Sequence, residues 1–263
     1  MSANSVHESA DDGHEDDQDG DAGLTRRELK RKARREEMLD AAMSIVVNEG
    51  VNSLTIARLA RELDAAVGAL YRYFDSKQAL IMALQRRAIE GFGEDLLKDL
   101  AAANAFLDAA GRNTRDDPTT TLFRVLVVYV AYLNDAHRAP ARHNLMRMMM
   151  SQPTALLSDE EALKVEESVS PVIDSMNRLM EEAERSGALA PGDPSSRTYL
   201  AWAALHGLDY FRRRDRIVTQ ESIKFRSLSL AMIRTLLLGW GAPEQPLEDA
   251  FTLLRFNTRT SVV

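Results

Sequence analysis

Cysteine is absent from the 263 residues. That removes disulfides, thiolate zinc sites and thiol nucleophiles together, and it fits a reducing, cytoplasmic setting. No stretch approaches the ~18 to 20 uninterrupted apolar residues of a membrane span, so no membrane partner is expected. The N-terminus lacks the basic patch and apolar run of a secretory signal. A Gly-rich phosphate loop and a Gly-x-Ser-x-Gly elbow are missing as well. The five histidines (His7, His14, His137, His143, His206) include no i,i+4 pair. Neither enzymatic chemistry nor a metal or other cofactor is expected. Alternating runs bounded by hairpin turns are also lacking, which argues against strands.

Positive charge is scarce only in places. The net charge of −7 hides an asymmetry: residues 1–21 hold eight acidic side chains and no Lys or Arg, and the rest of the chain is balanced to within one charge. With almost nothing apolar, residues 1–22 cannot offset the entropy of ordering, so a disordered acidic tail is expected there. The sign then reverses. Arg26, Arg27, Lys30, Arg31, Lys32, Arg34 and Arg35 face only Glu28, Glu36 and Glu37, an asymmetry that points toward a polyanion. A solvated helix face is the alternative for the residues nearest Arg35.

From there apolar residues recur three and four apart, and Ala, Leu, Arg, Glu and Met dominate, so the fold class is all-α. The spacing predicts helices at about 26–48, 56–63, 67–73, 76–110, 119–134, 141–150, 159–186, 194–214 and 220–238. A last short helix or an irregular tail is expected over 243–263. Thr25 and Glu28 have the spacing of a capping box, as do Asp75 and Gln78, and Leu54 and Leu59 stand at the positions of a hydrophobic staple. The inward stripe of the first helix is Met38, Ala42, Ile45 and Val46.

Two short helices joined by the turn Asp64-Ala65-Ala66 and propped on a longer first helix describe a helix-turn-helix, here within 23–76. Ile56, Leu59, Ala60, Leu63 and Leu70 can pack inward, leaving Arg58, Arg61, Tyr71, Arg72 and Tyr73 outside. Tyrosine hydroxyls and cationic side chains suit phosphate clamping. Spacing alone equally allows Tyr71, Tyr73 and Phe74 to form a small aromatic core patch.

The run Leu54-Thr55-Ile56-Ala57-Arg58-Leu59-Ala60, then Val67-Gly68-Ala69-Leu70-Tyr71-Arg72-Tyr73-Phe74, then Ser76-Lys77-Gln78-Ala79-Leu80 resembles the DNA-binding signature of tetracycline-repressor (TetR) family regulators. The resemblance implies phosphate contacts by Thr55, Tyr71, Tyr73 and Lys77. It implies a groove-facing tip of Val67, Gly68 and Ala69, with Arg72 beside it. Arg26, Arg27 and Lys30 would extend along the DNA backbone or into the minor groove. Two positions depart from the family pattern: Asp64 stands where glycine is usual in the turn, and Ala66 replaces the serine or threonine that caps the third helix.

The resemblance further implies that 77–242 is a larger helical domain that binds a small-molecule effector and forms a homodimer on a palindromic double-stranded DNA operator. Asp193-Pro194 and then Trp202-Ala203-Ala204-Leu205-His206-Gly207-Leu208 resemble a C-terminal domain type of the same family, marked by spaced Trp, His and Gly. Trp202, His206 and Tyr210 lie four apart, on one helix face. Phe123, Tyr129, Tyr132, Met146, Met149, Met176 and Met180 are candidates to line an apolar pocket with Trp202 and His206, since Met adapts to varied shapes. Residues at helical spacing serve equally as plain core, and a buried His as a structural one. Leu228, Ala231, Met232, Thr235 and Leu236 form an apolar stripe suited to pairing with a second copy. The rival expectation is a helical interaction module whose helix-turn-helix no longer touches DNA, which Asp64, Ala66 and the acidic tail would favour.

Overall fold

Thr25 caps the helix that opens the structure, a computed structural model describing residues 25–112, 114, 116–151 and 159–257. The acidic segment 1–22 lies outside the described residues. Helix α1 (Arg26–Glu49) begins in the expected capping box: the Thr25 hydroxyl accepts from the Glu28 N–H, and the Glu28 carboxylate accepts from the Thr25 N–H at 2.8 Å. It buries Met38, Leu39, Ala42, Ile45 and Val46, the expected stripe with one leucine added, and ends at Gly50, whose φ of +83° favours glycine.

Helices α2 (Ile56–Glu62) and α3 (Val67–Leu70) follow. Leu54 and Leu59 are both fully buried, as a staple requires. Helix α3 is shorter than the spacing predicts. Its first N–H groups have no side-chain cap at Ala66. Beyond Leu70, the Tyr73 and Phe74 N–H groups both turn back onto the Leu70 carbonyl at 2.9 and 3.0 Å, which closes a turn instead of another helical repeat. Helix α4 (Lys77–Ala109) is capped by Ser76, whose hydroxyl accepts from the Ala79 N–H at 3.0 Å; the Asp75–Gln78 box does not form.

Helix α5 (Pro118–Arg138), started by the Asp117 carboxylate, is buried on every face from Thr119 to Ala136 and is the axis of the larger domain. Around it pack α4, α6 (Pro140–Ser151), α7 (Asp159–Arg185) and α10 (Glu244–Phe256). The 243–256 stretch is thus a helix, burying Leu247, Ala250, Leu253 and Leu254. Helix α8 (Pro194–Asp209) packs between α7 and α9 (Phe225–Gly239).

The expected 194–214 helix stops at Asp209, where the chain tightens into a 3-10 segment, Tyr210–Arg216. Helix α9 starts at Phe225, five residues later than the spacing predicts, because the Asp215 carboxylate accepts the Phe225 N–H at 2.9 Å. Among the described residues there is no strand, and no helix is long and apolar enough to cross a membrane.

Candidate nucleic-acid interface and apolar cavity

The short helices form an exposed head. Thr55 spends its hydroxyl on the Arg58 N–H at 3.0 Å, which sets the start of α2. The end of α2 explains Asp64. This residue adopts φ +47°, its N–H bonds the Arg61 carbonyl, and the Ala65 N–H reaches back to the Ala60 carbonyl at 2.9 Å. That is a helix stop built on a left-handed residue, where glycine is easiest and Asp is among the better-tolerated alternatives. The glycine missing from the turn is therefore replaced in conformation if not in chemistry.

Beyond the turn, Val67, Gly68, Tyr71, Arg72 and Lys77 are exposed, whereas Ala69 and Tyr73 are half-buried. Tyr73 packs against the core; it and the buried Phe74 resemble the aromatic core patch more than a free clamp, and only Tyr71 stands clear of it, 49% exposed. A Cβ built on Gly68 would meet nothing within 4 Å. Nothing among the described residues requires glycine there.

Arg58 is engaged rather than free. Glu49 and Glu62 hold it at 2.6 and 2.7 Å, and these hydrogen bonds, that of Glu49 first, raise its pKa further. Arg26, Arg27 and Lys30 are exposed on the first turns of α1, before its first buried residue, Met38. The helix packs back on the head from Arg35, whose guanidinium lies 5.2 Å from the centre of the Phe74 ring.

The second feature is a partly open cavity of about 80 Å³ lined by five helices. Ile89 and Phe92 come from α4, Val128, Tyr129 and Tyr132 from α5, and Met146 from α6. Val169, Val172, Ile173 and Met176 come from α7, and Thr198, Trp202, Leu205 and His206 from α8. Tyr129, Tyr132, Met146, Met176, Trp202 and His206, all singled out by sequence, thus meet here. Phe123 and Met180 are fully buried elsewhere: Phe123 points to the other side of α5, its ring 5.9 Å from that of Phe106, and Met180 lies a turn beyond Met176. The side chain of Met149 lies outside the described residues. Tyr210 leaves the Trp202–His206 face because α8 has ended, and it sits exposed beneath Arg147.

Behind the cavity lies a charged cluster that the sequence reading missed. The Tyr132 ring stands 5.0 Å from that of His143 and 5.2 Å from that of His206. His143 sits between Asp135 and Asp209, at 3.6 and 3.4 Å. Arg142 bonds Asp135, Asp95 at 2.8 Å and the Gly91 carbonyl at 3.1 Å. Burial alone would drive the His143 imidazole neutral, yet the hydrogen bonds and charges of Asp135 and Asp209 outweigh it and hold its pKa above the ordinary value. Burial dominates at His206 and lowers its pKa. The available signal was Asp135 inside the apolar run of α5 and the Arg142-His143 pair, both costly to bury unless partnered.

Residues 38–84 match the family model for bacterial regulatory proteins of the tetR family. The chain is 30% identical to the nucleoid occlusion factor SlmA of Vibrio cholerae, over 60% of this chain and 66% of that protein. It is 30% identical to the transcriptional repressor KstR of Mycobacterium tuberculosis, over 64% of each. In both cases the matched stretch falls just short of two thirds of the relative's length. The fatty acid degradation regulator FadR of Bacillus halodurans shares the fold, with a TM-score of 0.54 and 14% identity over 78% of this chain and 98% of that one. With the helix-turn-helix geometry above, the chain is similar to bacterial regulatory proteins of the tetR family, through the family model over residues 38–84 and through relatives matched over somewhat less than two thirds of their length.

Proposed function

We propose that the chain is a transcriptional repressor that binds a palindromic operator as a homodimer and is released by a small effector held in the five-helix cavity. The observation that carries the DNA reading is Gly68: an exposed helical glycine with open space around it, flanked by Val67, Tyr71, Arg72 and Lys77. A helix tip kept smooth where the fold has no use for smoothness suits close approach to base edges, with Tyr71 and Lys77 on phosphates.

The dimer reading rests on two uncovered stripes. Helix α8 exposes Tyr199, Leu200, Ala203 and Gly207, and α9 exposes Ala231 and Thr235 beside half-buried Leu228, Met232 and Leu236. Two such helices from each of two copies make a four-helix interface. It sets two recognition helices about one DNA turn, ~34 Å, apart.

Release follows from connectivity. Helix α4 starts at the head, holds α1 through Arg87 to Asp40, and receives Arg142 at Gly91 and Asp95. An effector that displaces Tyr132 or His206 changes how that cluster seats α4, and hence the spacing of the two heads. A preference of a few kcal/mol for the non-operator spacing suffices. The test is fluorescence anisotropy on an operator selected from the source genome, for the parent and for Gly68→Val. Retained folding with lost DNA binding is expected; operator affinity equal to the parent's would sink the recognition assignment.

A further inference from the structure

The cavity wall is apolar apart from five side chains. Among the described residues no Asp, Glu, Lys or Arg lines it; its polar side chains are Tyr129, Tyr132 and Thr198 with their hydroxyls, His206 with its ring nitrogens and Trp202 with its indole N–H. All three hydroxyls are buried, and none has a hydrogen-bond partner among the described residues. Orphaned buried hydroxyls are uncommon because each forfeits its bonds to water. Three on the wall of one cavity are hydrogen-bonding capacity held for something that enters it.

The charge of that visitor follows from what surrounds it. His206 Nδ1 lies 3.1 Å from the Trp202 carbonyl, so Nδ1–H donates and the neutral ring keeps Nε2 as an acceptor; burial, which lowers its pKa, supports this form. Among the described residues, ions lie one layer back, behind the Tyr132 ring, where His143 and Arg142 already partner Asp135 and His143 also partners Asp209. A carboxylate in the cavity would lose its water without gaining a cation, and a cation would find the carboxylates already neutralised.

We propose that the effector is an uncharged, predominantly apolar molecule bearing hydroxyl, carbonyl or ester groups, which the hydroxyls of Tyr129, Tyr132 and Thr198 bind. Its apolar body lies against Phe92, Ile173, Met146 and Met176, the two methionines adapting to its shape. This inference rests on the effector-site reading of the cavity and adds the ligand's chemical class to it.

Three probes of equal chain length decide it: 1-octanol, octanoate and octyltrimethylammonium, titrated into the full chain at pH 7.5. Binding is read by calorimetry and by the fluorescence of Trp202. The expected result is octanol binding at least tenfold more tightly than either ion. Thr198→Val and Tyr129→Phe should each weaken octanol about three- to tenfold. Their melting temperatures without ligand should stay level or rise, since each removes an orphaned hydroxyl; a merely structural hydroxyl would lower them. Either ion binding as tightly as octanol overturns the proposal, and so does octanol binding that both variants leave unchanged or the failure of all three probes to bind. Operator anisotropy on the same samples separates the two levels: a wrong preference with DNA binding intact overturns the ligand class alone, and absent DNA binding overturns the regulator reading alone.

Discussion

His143 Nε2 lies 3.4 Å from Asp209 Oδ1, which ties α6 to the last turn of α8 across 66 residues of sequence. Through Asp135 and Arg142 the same cluster reaches Gly91 and Asp95 on α4. The cavity and the helix that carries the head therefore share one set of buried charges. Removing one partner of such a set leaves another uncompensated, which is strongly destabilising.

The first prediction concerns pH. His143 has a folded pKa above its ordinary value of 6.5, so the folded state binds the proton more tightly than the unfolded one. Its stabilising contribution is full below about pH 6.5 and fades as pH rises through the folded pKa. Asp135, Asp209, Arg142, Arg147 and His206 surround it and also titrate or carry charge. The contribution is therefore read as a difference between the parent and His143→Gln. That difference, from urea unfolding, should be largest near pH 5.5 and shrink toward pH 8; growth with rising pH would contradict the assignment.

Asp64 tests the turn. A side chain at φ +47° costs roughly 1 kcal/mol or more when it is β-branched, and less for Asp. Asp64→Val should lose about 1 kcal/mol or more in urea unfolding. Asp64→Gly should stay within about 0.5 kcal/mol, since relieved strain is offset by a more flexible unfolded chain. The glycine variant also drops a carboxylate beside the proposed DNA face, so it should bind operator more tightly. Equal stability for Val and Gly would show that the left-handed turn is not maintained in solution.

Tyr71 and Lys77 test the clamp. Tyr71→Phe removes one phosphate hydrogen bond and should weaken operator binding by roughly three- to tenfold, with the fold intact because the ring is half exposed. Lys77→Gln should lower the slope of log affinity against log salt by about 1. An unchanged slope would remove Lys77 from the phosphate contacts.

Leu200 tests the dimer. It is 58% exposed on α8, so Leu200→Arg costs little in one copy and places two like charges in the proposed interface. Sedimentation should show a monomer, and operator affinity should fall at least a hundredfold. A dimer with parent-like DNA binding would move the interface elsewhere.

Much of the head was legible along the chain. Thr25 with Glu28, Thr55, and the periodic Met38, Ala42, Ile45 and Val46 act within one or two turns, and the capping and burial found are those their spacing implies. Ser76 taking the cap instead of Asp75, and α3 ending at Leu70, were not legible. Two neighbouring polar residues compete for the same N–H, and the decision falls to how the chain enters α4. The cavity was legible in part: Tyr129, Tyr132, Met146, Met176, Trp202 and His206 meet there, while Phe123 and Met180, of the same chemistry and spacing, do not.

The order and approximate places of the helices, the helix-turn-helix and the absence of strand patterning were properties of the sequence by itself, because capping, turn chemistry and the 3.6-residue period operate between near neighbours. Which face of α5 meets α7 and α8, which hydroxyls end without partners, and that His143 lies between two aspartates were decided only by tertiary structure. Desolvation and ion pairing depend on what stands on the far side of a side chain, and that neighbour comes from another helix tens of residues away.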